Sequence, residues 1–395
     1  MHTYRELFTV AEFRALFATR CLAIGSGSLA SLALGTIMYA ETGSTILTAL
    51  ILFGGPLITL LGSATVLGAA DSLRPRTALI ITAAAAMLAH GLQAVPGLPW
   101  PARFVFLAVP YVVTSFTGGI AMKVLARAVG DDGFLLGRST LNAAVGMFQI
   151  VGYASGGLLL VLLSTGQLFL IAATVNAALV VVVWRGIEDH PASVSSAGLV
   201  ARTRLVNRQL LGSPVVRPVY LCLWVPNGLV VGCEALFVPL TSYAGYLFAV
   251  TAAGMLLGDV VVGRFVAPAR RNRLIEPLRL VLALPWLLLW FTPPLAVVMV
   301  VAFVSAIGYS ASLPLQDRLL RAMGESGRGQ AFGLSLNGMM IGQAGGAVIG
   351  GVLATVLPVP TAMAVLGTAS VAVTLLLTPG LRRSSALVRA EDRVA

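Results

Sequence analysis

Residues 225–240 read VPNGLVVGCEALFVPL. One carboxylate, Glu234, stands among Leu, Val, Phe and Pro in an apolar run that begins near Arg217. A helix on the surface of a soluble protein keeps one polar face. This run has none, so it is buried all round, in a protein core or in lipid. The rest of the chain decides between the two.

Of 395 residues, 58% are hydrophobic and 10% are charged, where a soluble domain carries about 25% charged residues. So few charges cannot cover a water-facing surface. Apolar stretches longer than about 18 residues recur along the chain, the length a helix needs to cross hydrocarbon. Lipid offers the backbone no hydrogen bonds, so a span is a helix or part of a closed barrel. The strict alternation of a barrel strand is missing. The expected fold class is an all-α membrane protein.

Twelve spans are expected, at 14–39, 43–67, 77–95, 101–125, 138–163, 167–185, 216–240, 243–263, 277–292, 294–317, 329–357 and 360–379. The first is longer than the apolar core of a signal peptide, and more follow it, so it reads as a retained span. The polar stretch GIEDHPASVSSAGLVARTRLVNRQLLGSP, from Gly186 to Pro214, separates two sets of six and reads as a linker. The expected organisation is a six-helix bundle at 1–186, a cytoplasmic linker at 187–214, a second bundle at 215–380 and a tail at 381–395.

The net charge of +11 is scattered in short clusters, unlike the single basic patch of a nucleic-acid binder. With the N-terminus inside, the inner segments collect Arg74, Arg76, Lys123, Arg127, Arg138 and Arg185, then Arg264, Arg270, Arg271, Arg273 and Arg279, and later Arg318, Arg321 and Arg328. Of the 26 basic residues only Arg103 falls on the other side. That asymmetry puts both termini in the cytoplasm. Cys21, Cys222 and Cys233 lie in spans. Cys222 and Cys233 are about 16 Å apart by helix rise, too far for a disulfide, and read as small buried hydrophobes.

An internal repeat supports two related halves. Residues 125–159 align without gaps to 319–353, and ten of the 35 positions match, against about three expected from such biased composition. Among the matches are Gln149/Gln343, Gly152/Gly346, Gly156/Gly350 and Gly157/Gly351. A parallel repeat of six-helix halves is a transporter architecture.

Four stretches carry a resemblance to a known family: EFRALFATRCLAIGSGSLASLALGTIMYAETGS, LGAADSLRPRTALI, GYASGG with its copy GAVIGG, and GESGRGQAFGLSLNGMMIGQAGG. The chain resembles the major facilitator superfamily, and within it bacterial exporters of the siderophore and macrolide efflux type. The resemblance implies twelve helices in two pseudo-symmetric bundles. It also implies a multi-pass monomer of the bacterial cytoplasmic membrane and proton-driven export, as by an antiporter, of a small amphipathic drug or metabolite. Tyr153 and Ala347 stand where the exporters usually carry Pro, so an importer of the same architecture stays open. A membrane sensor is the third reading. By resemblance, Asp71 would latch a cytoplasmic gate, with Arg74 and Arg76 helping or serving only as topogenic charges.

The site candidates follow from polar placement and from the family's cavity-lining spans, the first, fourth, seventh and tenth. They are Arg20, Ser26 and Ser28; Tyr111, Thr114 and Ser115; Asn227 and Glu234; Tyr309 and Ser312. An ionisable group in a span is costly and tends to face a bundle interior or a wet cavity. Glu234 is therefore expected either to bind a proton or a cationic solute, or to sit at the outer rim and shape a gate. Arg20 is its counter-charge or a side chain snorkelling to the interface. Gly152, Gly156 and Gly157, and Gly346, Gly350 and Gly351, each share one helix face and would let helices approach closely. His90, without an evident partner, reads as interfacial. No metal-ligand spacing, nucleophile elbow or phosphate-binding Gly-Lys loop occurs, so neither a cofactor nor an enzyme activity is expected.

Overall fold

The computed structural model describes residues 3–65, 73–117, 119–191, 207–208, 210–321 and 328–391. These residues form helices and their connections, with no strand among them. Ten helices are long and apolar enough to cross a membrane. Two bent pairs raise the number to twelve when each pair counts as one span. Large apolar side chains stay exposed on these helices, among them Leu61, Val161, Phe291 and Leu376. Such surface suits hydrocarbon, where it has no water to order.

Several expected spans are broken, and the sequence supplies the reasons. The second is two helices, Thr45–Phe53 and Gly55–Thr65, bent by 51°. Gly54, Gly55 and Pro56 fall at the break. Proline lacks an N–H for the ladder and its ring crowds the preceding turn. The fourth breaks after Thr117 and resumes at Ile120, with Gly119 at φ 87°, a left-handed conformation that suits glycine. The expected loop between the fourth and fifth spans is instead helical. Helix runs over Ile120–Leu162, interrupted only by Gly130 at φ 64°. The ninth span starts earlier than expected, at Asn272, and runs to Phe291. Its second half, Leu284–Phe291, is 3-10 helix. Pro285 removes the N–H of the next turn, and Ser305 Oγ bonds the freed Leu282 carbonyl at 2.5 Å while accepting from Trp286 Nε1 at 2.7 Å.

The chain divides into two compact units. The first comprises Met1–Gly43, Gly54–Ala197 and Tyr243–Ala249; the second comprises Ser44–Phe53, Gly198–Ser242 and Val250–Ala395. In the first, Phe13, Leu16, Val124, Leu125, Leu141 and Val183 form an apolar core. In the second, Val219, Tyr220, Cys222, Leu223, Leu315 and Leu319 do so.

The first unit also holds an ion pair between a buried arginine and an exposed carboxylate. Arg103 is 2% exposed, and its Nη2 reaches Glu41 Oε1 at 2.7 Å. Its backbone carbonyl accepts from Gln93 Nε2 at 2.8 Å. Arg103, the basic residue expected to lie opposite all the others, is thus paired with a carboxylate. Glu41→Gln leaves the buried guanidinium without its carboxylate, but the lost carboxylate was partly solvated and Arg103 Nη1 still reaches two Gln93 oxygens at 3.4 Å, so the cost is about 1–2 kcal/mol. The apparent melting temperature of the purified protein is expected to fall by several degrees, and Arg103→Met in the same chain to recover most of the loss.

Candidate functional site

The site candidates of the second unit lie on the seventh and tenth spans. The seventh is helical over Arg217–Glu234, with Pro226 inside, and a second short helix covers Phe237–Leu240. The first helix therefore ends at the carboxylate. Glu234 is 8% exposed and its Oε1 accepts from Tyr309 Oη at 2.7 Å. Tyr309 lies in a 3-10 segment, Gly308–Ala311, between two α-helical stretches. That tighter turn runs against the ninth span: a Cβ on Gly308 would overlap the backbone of Leu278 and Leu282. Glycine at 308 thus permits the approach that seats Tyr309.

Asn227, two turns before Glu234, is 1% exposed, and neither amide atom has a hydrogen-bond partner. Pro226 cannot donate to the helix ladder, and its own carbonyl accepts from Ser370 Oγ at 3.1 Å. Ser312, one turn beyond Tyr309, faces a residue counted above with the inner loops. Arg279 is 0% exposed and lies within the ninth span, so its reading as a loop charge is corrected. Its Nη2 meets Ser312 Oγ at 3.4 Å, while Nε and Nη1 have no acceptor. The Cys222 thiol is also a hydrogen-bond partner of the guanidinium, and Tyr309 stands within its electrostatic reach. The span boundary was the source of the error. Helix from Asn272 puts Arg279 about 10 Å of rise inside. Arg318, also read as a loop charge, is 6% exposed and donates to the Leu381 carbonyl at 3.0 Å.

In the first unit, Arg20 is exposed on the first span. Ser26 is buried, and its Oγ accepts from Asn176 Nδ2 at 3.2 Å. Asn176 Nδ2 also lies 3.3 Å from His90 Nδ1, so His90 has a partner and belongs to a small interior polar node. Ser28 is buried against the place where a Cβ on Gly152 would fall. The fourth-span hydroxyls bond back to their own helix: Thr114 Oγ1 to the Pro110 carbonyl at 2.7 Å, Ser115 Oγ to the Val112 carbonyl at 2.6 Å. Tyr111 packs its ring over Gly55, and its carbonyl accepts from Thr59 Oγ1 at 3.1 Å. Asp71 lies outside the described residues. Arg74 pairs with Asp189 at 2.7 Å, both exposed, and the Arg76 guanidinium stacks 5.8 Å from the Trp184 ring.

The repeated glycines play matching parts. Gly152 meets the Gly25 carbonyl of the first span, and Gly346 that of Gly228 in the seventh. Gly156 faces Leu29 and Leu32, and Gly350 faces Gly232. Gly157 touches Gly245, within the first unit, and Gly351 touches Thr45 and Ile46, within the second. Among the described residues no group of His, Cys, Asp and Glu is arranged to hold a metal ion.

The sequence matches no protein-family model and no curated protein. Solved structures do share the fold. A POT family transporter, in complex with a thioalcohol-conjugated peptide, superposes with a TM-score of 0.74 at 13% identity, covering 94% of this chain and 96% of that one. A mutant of the nucleoside transporter NupG gives 0.73 at 13% identity over 93% of this chain and 99% of that one. The peptide transporter POT, in complex with sulfate, gives 0.70 at 15% identity over 95% of each chain. The chain therefore has the fold of the major facilitator transporters, all-helical with up to twelve spans.

Proposed function

We propose that this protein is a secondary active transporter of a small amphipathic solute, coupled to protons through Glu234. The observation that carries this is the buried Glu234–Tyr309 pair at 2.7 Å, placed where the seventh span breaks. A carboxylate kept inside a span is expensive, and such groups mark ion and substrate paths. Tyr309 can donate to Glu234 whether or not the carboxyl carries a proton, so the pair is suited to taking up and releasing one. The proteins that share the fold are described with peptides, 5-aminolevulinic acid and nucleosides, all small polar solutes. They support solute transport over a catalytic or sensory role.

The reading includes two six-helix halves at 1–186 and 215–380 joined by a cytoplasmic linker at 187–214, with a tail at 381–395. It places both termini in the cytoplasm of a bacterium and has the protein act as a monomer without a cofactor. Asn227, Tyr309 and Ser312 would line the path in one half, and Ser28, Tyr111, Thr114 and Ser115 in the other, with Arg20 as a further charge. Asp71 with Arg74 and Arg76 would form the inner gate. Export, as by a drug antiporter, follows from the family resemblance. Uptake is the second reading, since Tyr153 and Ala347 stand where the exporters usually carry proline. Accumulation of a labelled solute panel in inverted and in right-side-out vesicles separates the two. Accumulation in neither, under any imposed proton gradient, overturns the reading.

A further inference from the structure

Arg279 poses a problem that the mechanism above leaves unsolved. A guanidinium does not shed its proton to relieve burial, as a lysine or a carboxyl can. A buried charge without a partner is among the costliest features a fold can hold. Yet Arg279 is 0% exposed, the side chains that bond it, Ser312 and Cys222, bring no full negative charge, and Nε and Nη1 have no acceptor. Four carboxylates of the second unit have described side chains, and none pairs with it. Glu234 is bonded to Tyr309. Glu276 is held at two points by Arg382, at 3.0 and 2.8 Å. Asp317 pairs with Arg321 at 2.7 Å. Asp259 is exposed on the eighth span. The nearest titratable neighbours, Cys222 and Tyr309, are neutral in their ordinary protonation at pH 7.

We infer that Arg279 binds an anionic group of the transported solute, and that the solute is a small organic anion such as a monocarboxylate. This rests on the reading of the chain as a transporter. Each bidentate edge of a guanidinium pairs Nη2 with Nε or with Nη1. Nη2 carries two N–H groups and Ser312 takes one, so the other can complete a planar fork with an open Nε or Nη1 to match the two oxygens of a carboxylate. Ser312, already on the third nitrogen, adds a hydroxyl beside it. In the conformation described the site is closed, so the solute reaches it in another state of the cycle.

Tyr309 stands within electrostatic reach of both Arg279 and Glu234. Arg279 and Glu234 are not among the groups that act on each other. The anion site and the carboxylate are thus two distinct groups of the second unit, with Tyr309 between them.

The test is thermal unfolding of the purified full-length protein with benzoate, benzamide or benzylamine at equal ionic strength. A ligand that binds the folded state raises the melting temperature. Benzoate is expected to raise it in wild type and in Arg279→Lys, and not in Arg279→Gln; benzamide and benzylamine leave it unchanged. Glu234→Gln, which leaves the Arg279 site in place, is expected to keep the benzoate shift. Equal stabilisation of wild type by benzoate and benzamide overturns the inference, as does full benzoate stabilisation of Arg279→Gln. If Arg279→Gln fails to fold, the wild-type contrast between benzoate, benzamide and benzylamine decides, with Arg279→Lys beside it. Melting reports binding alone. Benzoate binding without any proton-driven flux therefore defeats the transport reading and leaves this site standing. Flux without Arg279-dependent binding does the reverse.

Discussion

Glu234→Gln is expected to reduce proton-driven accumulation in proteoliposomes to the level of protein-free vesicles, while leaving solute exchange at equal pH intact. Glutamine has nearly the shape of glutamic acid, and its Oε1 can still accept from Tyr309, as Glu234 does at 2.7 Å. The packing around the end of the seventh-span helix at Glu234 is therefore kept. What is lost is the proton. A carrier that no longer needs to bind or release a proton can still cycle with solute on both sides, but cannot turn a pH gradient into a solute gradient. Exchange and accumulation separate only if the carboxylate is the coupling group. If Glu234 merely shapes an outer gate, both rates fall together or neither does. Tyr309→Phe is a weaker lesion. It strips a hydrogen bond from a buried carboxylate, a loss of about 1–3 kcal/mol, and leaves the ionisable group in place. Accumulation should be slowed without being abolished.

Glu234 is legible in the sequence because a carboxylate in the middle of an apolar run stands out against its neighbours. Tyr309 is not tied to it by any spacing, since 75 residues separate them. Their meeting depends on the 3-10 turn at Gly308–Ala311 and on glycine at 308, neither of which a hydropathy pattern reports. Arg279 escaped for a different reason. An arginine near a drawn boundary looks like the inner-side charge that sets topology, and a boundary shift of a few residues converts it into a buried group. The spans themselves are legible because hydrocarbon demands about 20 apolar residues for each. Their internal breaks are less so. The bend after Phe53 has Gly and Pro to announce it. The helix continuing past Ile120 does not, because Gly130 and two aspartates in succession resemble a loop.

The glycine repeat was visible as matched letters; which glycines are indispensable follows only from what lies opposite each. A Cβ on Gly346 would overlap the Gly228 carbonyl, one on Gly232 would come within 2.5 Å of the Gly346 carbonyl, and one on Gly350 within 2.6 Å of the Gly232 carbonyl. Here two backbones are in contact, and a backbone cannot turn aside as a side chain can. In lipid, helix pairing depends on such close packing. Gly346→Val is therefore expected to cost about 3 kcal/mol or more, the upper part of the range for overpacked cores. The purified protein should melt many degrees lower or be lost on extraction. Gly345, its neighbour in sequence, has nothing within 4 Å of a built Cβ. Gly345→Ala meets no obstacle and gains about 0.8–1 kcal/mol of helix propensity. Gly156, the first-half counterpart of Gly350, is intermediate: a Cβ there would lie 3.2 Å from the tip of the Leu32 side chain and 3.5 Å from the Leu29 Cα. Gly156→Ala should cost under about 1 kcal/mol, at the mild end for packing adjustments. Melting temperatures of the three variants should thus fall in the order Gly345→Ala, Gly156→Ala, Gly346→Val. If Gly346→Val melts with Gly345→Ala, the seventh and eleventh spans do not touch through their backbones, and the glycines are a trace of ancestry without a packing role.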